Sequence, residues 1–338
     1  MTDTDPIVVA RTPLRLSLGG GGTDLPFYRS QFGADVLSVA ISPQVTVVGR
    51  KGRLDATTRF GYERLCVADK AGELADPFVS AAMDMVGFRE PCELFSLGPV
   101  PAGTGLGSSG AFAVSLLAVL NTLSDRSLDR IGLIEQACEL EIDRLGRPVG
   151  KHDQYVCGLG GLRRLVISTT GAMHAEPARI DRSTVDELVR RLLLVYTGVR
   201  RDSAASLSIS GSGSDLDARI AQLHRIRDVG DRIRKALEGG EWERTPELLR
   251  EHWSIKRGRE RYTPWDALCQ TARANGATAW KLVGAGGGGF ILFWAEPERQ
   301  ADVLSAISAF GVRHLPFRVA EMGTTVTRID THAVEVQL

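Results

Sequence analysis

The chain of 338 residues has no excess of either charge: Lys and Arg number 41, and Asp and Glu number 41. That balance excludes a bulk electrostatic partner such as nucleic acid or an anionic membrane surface. Cysteine is sparse and scattered, at positions 66, 92, 138, 157 and 269, with no Cys-x-x-Cys pair. An odd, dispersed set argues against a disulfide framework and a structural zinc site, and suits reduced thiols in a cytoplasmic protein. No apolar run approaches the ~18 residues a membrane helix needs, so no span is expected. The start, residues 1–6, is acidic and polar and lacks the pattern of a signal peptide. A Walker A ending is also missing. The single Gly-Lys pair, Gly150-Lys151, runs into His152, and Leu145 stands where the first glycine of that motif belongs. A nucleotide loop here must be of another class.

The length suits two packed domains. Hydrophobic residues at 43% and charged residues at 24% are ordinary for a globular enzyme. Glycine is plentiful, and much of it falls in residues 19–22, 103–107 and 284–289. Ordering such segments costs backbone entropy, which points to close approach of a ligand or another part of the chain. The most informative stretch is Pro101-Ala102-Gly103-Thr104-Gly105-Leu106-Gly107-Ser108-Ser109-Gly110-Ala111, which leads into an apolar run over 111–120. A glycine loop feeding a buried helix offers free N–H groups and the positive end of a helix dipole to an anion. Residues 284–289 match Gly-x-Gly-x-x-Gly, but they follow a helix-and-loop region and run into the apolar strand 290–294. A dinucleotide fingerprint needs the reverse context, a strand before and a helix after.

Elsewhere the patterns predict strands over 7–9, 14–18, 44–50, 92–97, 162–167 and 192–196. Apolar residues at 131, 134, 138, 142 and 145 predict a helix over 128–145. Thr184 and Glu187 resemble a capping box opening the next helix. Residues 200–215 are serine-rich and read as a mobile loop. A long amphipathic helix follows on Leu216, Ile220, Leu223, Ile226, Val229, Ile233 and Leu237. Helices are expected over 245–255, 264–274 and 297–310, and final strands near 325–329 and 333–337. Mixed elements without strict alternation indicate an α+β chain of two domains.

The three glycine segments, in this order, resemble the signature of the GHMP small-molecule kinases. Residues 11–26 are similar to the first motif, residues 101–111 to the second and residues 281–293 to the third. Within that family, Gly20-Gly21-Gly22-Thr23-Asp24-Leu25-Pro26 resembles the branch of D-glycero-D-manno-heptose 7-phosphate kinases. Gly150-Lys151-His152-Asp153-Gln154-Tyr155 and Tyr196-Thr197-Gly198 resemble it too. The resemblance implies a two-domain α+β GHMP kinase fold. Residues 1–182 would form a mixed βαβ domain carrying the phosphate loop and catalytic residues. Residues 183–338 would form a ferredoxin-like α/β domain with the substrate pocket and third motif.

It also implies roles. ATP would sit on Pro101, Gly103, Thr104, Gly105, Leu106, Gly107, Ser108, Ser109 and Gly110. Mg²⁺ would be held by Ser109, with Ser108 a close second choice, and by Glu141; this ion takes one or two protein oxygens and keeps several waters. Glu139 lies ~200° around the helix from Glu141 and should face elsewhere. Asp153 would accept or orient the proton of the attacking hydroxyl, and Arg15 would hold it ionised and face the transferred phosphate. Gly22, Thr23 and Asp24 would meet the sugar, since a carboxylate can accept from two vicinal hydroxyls. Gln154, Gly286 and Gly287 would line the same pocket. Lys151, Arg200 and Arg201 would serve a distal phosphate. Trp280 and His152 depart from the usual pattern, and Trp280 would reshape the pocket. The implied activity is ATP- and Mg²⁺-dependent phosphorylation of an anomeric sugar hydroxyl, with heptose 7-phosphate the foremost acceptor. Other sugar 1-kinases (on fucose, galactose or an N-acetylhexosamine) and a non-catalytic sugar or nucleotide sensor are the alternatives. A monomer or homodimer acting on a small molecule is expected, with no nucleic-acid or membrane partner.

Overall fold

A computed structural model describes residues 5–70, 73–199, 214–257, 264–284 and 288–329. The serine-rich stretch over 200–213, with Arg200 and Arg201, lies outside the described residues. So do Gly286, Gly287 and the strand expected near 333–337.

The first sheet is built on two long antiparallel strands, β1 (Ile7–Gly19) and β2 (Ala34–Lys51). The two strands expected over 7–18 are one. Pro13 does not end it; instead the register shifts between Pro13 and Leu14. A proline has no N–H for the ladder, and an irregularity is where a strand can hold one. β3 (Thr58–Gly61), β4 (Leu65–Ala68) and β5 (Cys92–Leu97) extend the sheet beyond the C-terminal half of β2. β6 (Leu162–Ile167) and β7 (Met173–Pro177) extend it from the N-terminal half. The β3–β5 pair is parallel and makes the sheet mixed.

Helices α1 (Pro26–Phe32), α2 (Pro77–Val86), α3 (Ser108–Leu123), α4 (Arg130–Glu139) and α5 (His152–Leu159) belong to this half of the chain. In α3, Val114, Leu116, Leu117 and Val119 are all fully buried, so every face is covered. A helix apolar all round is an interior helix, and α3 packs on β1, β2 and α5. The helix expected over 128–145 changes character. α4 ends at Glu139, and Leu140–Arg144 is a π turn closed by Leu145 N–H to the Leu140 carbonyl. π turns recur at functional sites because the added residue re-aims a side chain.

The second sheet is antiparallel, of β8 (Leu192–Tyr196), β9 (Ala277–Leu282), β10 (Phe290–Ala295) and β11 (Arg313–His314), in the order β11-β8-β10-β9. Side chains alternate across it. Phe290, Leu292 and Trp294 join the main core with Leu223, Ile226, Leu248 and Leu249. Ile291 and Phe293 face a second core with Leu268, Val303 and Ile307. The helices that cover it are α6 (Arg182–Arg190), α7 (Ser214–Glu238), α8 (Thr245–Arg257), α9 (Asp266–Ala274) and α10 (Gln300–Ile307). The helix expected over 297–310 is α10 flanked by 3₁₀ turns at Pro297–Arg299 and Ser308–Phe310. The capping box does not form. α6 starts at Arg182, Thr184 is buried inside it, and Glu187 pairs with Arg190 and Arg191 rather than reaching back. A last strand, β12 (Thr325–Ile329), returns to pair with β1.

The third glycine segment follows a strand, not a helix and loop. β9 precedes it and pairs antiparallel with β10, so the segment joins a hairpin. No helix follows, and the Rossmann context remains absent.

Candidate active site

The glycine loop and α3 bring the first-turn N–H groups of Ser108 and Ser109 to a cleft between the two sheets. The N-cap, Gly107, has no side chain to satisfy them. Gly105 has φ +87°, and a Cβ there would lie 2.8 Å from the Val283 carbonyl oxygen and 3.2 Å from Gly284 Cα. Only glycine lets the phosphate-type loop touch the third glycine segment backbone to backbone. Within the loop, Gly103, Gly105, Gly107, Ser108 and Ser109 line the cleft. Pro101 and Thr104 instead close the loop on itself, the Thr104 hydroxyl donating to the Pro101 carbonyl at 3.0 Å. Leu106 is buried, and its carbonyl accepts from Arg15 N–H at 3.0 Å. Gly110 is where α3 meets α5: a Cβ there would stand 2.8 Å from Asp153 Cβ.

Arg15 and Asp153, 138 residues apart in sequence, form one unit. Arg15 Nε and Nη2 both reach Asp153 Oδ1 at 2.7 Å. Arg15 Nη1 donates to the Gly105 carbonyl at 2.5 Å, which ties the pair to the loop. Arg15 is 6% exposed, whereas the Asp153 side chain is 31% exposed toward the cleft. Burial pushes the Asp153 carboxyl up, but the charges of Arg15 and His152 outweigh it and hold the group below its ordinary value. An ionised, partly open carboxylate beside a phosphate-type loop can accept a proton from a bound hydroxyl.

Asp24 follows the glycine turn, is buried and lines the same cleft. Its Oδ2 accepts from His152 N–H at 3.3 Å, which links the first motif to the start of α5. Gly22 lines the cleft too, but Thr23 does not. Its hydroxyl donates to the Gly20 carbonyl at 2.7 Å and is fully buried.

The π turn sends Glu141 inward, to 1% exposure, while Glu139 stays outside and pairs with Arg144. Glu141 Oε2 accepts from the Ser109 hydroxyl, and Oε1 accepts from Gln154 Nε2 at 2.8 Å. Burial raises the Glu141 carboxyl, opposed by Ser109 and Arg147. Gln154 lines the cleft but spends its amide N–H on Glu141. Among the described residues no cluster of three or more His, Cys, Asp or Glu could hold a metal ion. A hydroxyl and a carboxylate at one point still fit Mg²⁺, which takes one or two protein oxygens and keeps its waters.

Lys151 does not reach the cleft. Its Nζ pairs with Glu135 at 2.5 Å on the far side of α5, and the Tyr155 hydroxyl donates to the same carboxylate. Lys151 and Tyr155 lie four apart on one helix face, and Asp153 lies on the opposite one. The further basic side chains of the cleft come from elsewhere: Arg219 on α7, Lys256 and His252 on α8, and Lys281 on β9, with burial holding the His252 imidazole neutral. Lys281 donates to the Ser17 and Leu18 carbonyls at 2.7 and 3.0 Å. Lys256 donates to the Leu282 carbonyl at 3.1 Å and to that of Gly284. Burial first, then neighbouring cations, pulls both lysines down to about 7. A signal for three of them was present. Arg219 falls on the apolar stripe of α7 between Leu216 and Leu223, and His252 and Lys256 fall on that of α8 after Leu248. Polar residues on a buried stripe mark a site. Trp280 does not shape the cleft, because strand alternation turns it to the opposite face, against the second core.

A glycine-loop helix, a carboxylate clamped by arginine and a basic cleft between two α+β domains define a small-molecule phosphotransferase. The family description "GHMP kinases N terminal domain" matches residues 74–161, and "GHMP kinases C terminal" matches residues 233–313, together half of the chain. The D-glycero-alpha-D-manno-heptose 7-phosphate kinase of Campylobacter jejuni is 28% identical over 313 residues, 88% of this chain and 92% of that one. The galactokinase of Pyrococcus furiosus is 26% identical over 62% of this chain and 66% of its own. Among solved structures, a D-glycero-D-manno-heptose 1-phosphate kinase from Bacteriodes thetaiotaomicron superposes with a TM-score of 0.78. It is 23% identical, over 95% of this chain and 99% of that chain. The chain belongs to the GHMP kinase family. It is an ATP-dependent sugar kinase of that family, with the two-domain fold of its structural neighbours. Among the described residues no helix is long and apolar enough to cross a membrane.

Proposed function

We propose that this kinase phosphorylates the anomeric hydroxyl of a sugar that already carries a distal phosphate, with D-glycero-D-manno-heptose 7-phosphate as acceptor and the 1,7-bisphosphate as product. The observation that carries this reading is the cleft itself. Arg15 and Asp153 are tied to the glycine loop, and Asp24, Lys256 and Arg219 line the same cleft. The relation to the Campylobacter jejuni heptose 7-phosphate kinase supports the same acceptor.

On this reading the free N–H groups of Ser108 and Ser109 bind the terminal phosphates of ATP. Ser109 and Glu141 hold Mg²⁺, which supplies charge neutralisation on those phosphates when bound. Asp24 accepts from two sugar hydroxyls and fixes the acceptor's orientation. Asp153 takes the proton of the attacking hydroxyl, a step eased because an anomeric hydroxyl is more acidic than an ordinary alcohol. Arg15 keeps Asp153 ionised and faces the charge spread over the transferred group. Arg219 and Lys256 receive the distal phosphate in place of Lys151. Residues 1–182 carry the nucleotide and catalytic groups, and residues 183–338 supply the cationic wall, with β12 returning to the first sheet.

The test is ATP turnover on a panel of free and phosphorylated sugars, with phosphorus NMR of the products. The reading expects a preferred acceptor with a distal phosphate and a new anomeric phosphate signal. Faster turnover of free galactose or fucose, or phosphate appearing at a non-anomeric position, contradicts it.

A further inference from the structure

Arg147 lies in the connection between the π turn and α5, and no role above uses it. Its Nη1 donates to Ser109 Oγ at 3.2 Å and to Glu141 Oε2 at 3.3 Å. These are the two side chains proposed as Mg²⁺ ligands. The guanidinium lies 4.8 Å over the Phe78 ring, which is backed by Phe112 at 5.1 Å. The backbone of Arg147 is tied down as well. Its N–H donates to the Glu141 carbonyl at 3.0 Å, and its carbonyl accepts from Val149 N–H at 2.8 Å. Such a seat, stacked, hydrogen-bonded and tethered, is built for a resident side chain.

Two facts of chemistry then matter. A Mg²⁺ ion bound to both oxygens would sit about 2.0–2.1 Å from each, and on the side from which Arg147 approaches it would collide with Nη1, which lies 3.2 and 3.3 Å from the same two atoms. A guanidinium does not lose its proton in proteins, so pH gives it no way to become a neutral neighbour. On the side of Arg147 the two cations exclude each other, and in any position they repel and compete for the same two acceptors. Glu141, at 1% exposure, also needs a countercharge when no metal is present, because a buried uncompensated carboxylate is costly.

We infer that Arg147 is a built-in cation that competes with the divalent metal for Ser109 and Glu141, so that metal binding is an exchange of one cation for another. Glu141 is therefore never left alone, and the metal affinity is set below what its oxygens would give unopposed. This inference rests on the reading of Ser109 and Glu141 as metal ligands.

The test uses Mn²⁺ as the probe, titrated into the whole nucleotide-free protein at pH 8 and followed by the paramagnetic resonance of the free ion. In Arg147→Met the side chain keeps its apolar stem against Phe78 and loses its charge. Its Mn²⁺ affinity should rise about tenfold, and its melting temperature without metal should fall and recover on saturation with Mn²⁺. Arg147→Lys keeps a cation and should stay near wild type, and Arg147→Gln provides a second uncharged variant should the methionine variant not fold. Unchanged or weaker affinity in the uncharged variants, undetectable binding in all of them included, overturns the inference. Glu141→Gln separates the two levels. If it loses Mn²⁺ while Arg147→Met equals wild type, the competition alone is wrong. If Glu141→Gln binds Mn²⁺ as wild type does, the ligand assignment itself fails.

Discussion

At the scale of the residue, the chemistry turns on one clamped carboxylate. Asp153 was legible because it stands in an Asp-Gln pair just beyond Gly150-Lys151-His152, and Arg15 because of its place in the first motif. Their contact at 2.7 Å joins positions no local pattern could join. Asp153→Asn should lower kcat by about a hundredfold or more, the usual size of a lost general base, with little change in nucleotide affinity. Steady-state kinetics check this, and near-normal turnover would remove Asp153 from the mechanism. Lys256 carries a weaker signal, because its neighbours make an ordinary amphipathic helix and only its place on the buried stripe marks it. With its ammonium pulled down to about 7, Lys256 loses its charge as pH rises through that value. The KM for a phosphorylated acceptor should therefore climb between pH 6.5 and 8.5, at most roughly tenfold per unit for one charge, and Lys256→Met should make the profile shallower, leaving the part due to Lys281, which titrates in the same range. The stability sign runs the other way. Between about 7 and 10.5 the unfolded chain binds more protons at this position than the folded one, so stability contributed here rises with pH across that window.

At the scale of the element, the sequence readily showed most helices and strands, because buried periodic runs carry their own signal. α3, β5, β6 and β8 sit where their patterns place them. Two features were not legible. The π turn at Leu140–Arg144 keeps helical periodicity within a residue, yet it decides which carboxylate turns inward. The strand β9 hides a buried lysine and a tryptophan of opposite facing, so its alternation is weak in hydrophobicity alone. A third case is a contact rather than an element. Gly230, in the middle of α7, faces the turn after β1: a Cβ there would stand 2.4 Å from Gly20 N. Helix propensity favours alanine over glycine by about 1 kcal/mol. Backbone cannot yield as a side chain can, and overpacking costs about 1–3 kcal/mol or more. Gly230→Ala should thus melt at lower temperature, and it should raise the sugar KM because the displaced turn carries Asp24. Thermal denaturation and kinetics of that variant check both effects; an unchanged or higher melting temperature would mean that α7 moves away freely.

At the scale of the molecule, two sheets share one core, and the cleft lies where the glycine loop of the first meets the glycine segment and cationic helices of the second. That meeting explains why three glycine-rich segments, far apart in sequence, belong to one site. Gly105 against Gly284, and Gly19 against Gly230, are approaches that side chains would forbid. Lys281 bonds from the second sheet to the carbonyls of Ser17 and Leu18 at the end of β1, so the halves are joined beside the turn that carries Asp24. The most direct measurement of the account is a crystal structure with Mg²⁺ and a non-hydrolysable ATP analogue. The account predicts the β- and γ-phosphates on the N–H groups of residues 107–109, with the γ-phosphorus facing Asp153 across the space for one sugar hydroxyl. A nucleotide seated elsewhere, or a γ-phosphate turned away from Asp153, would contradict it.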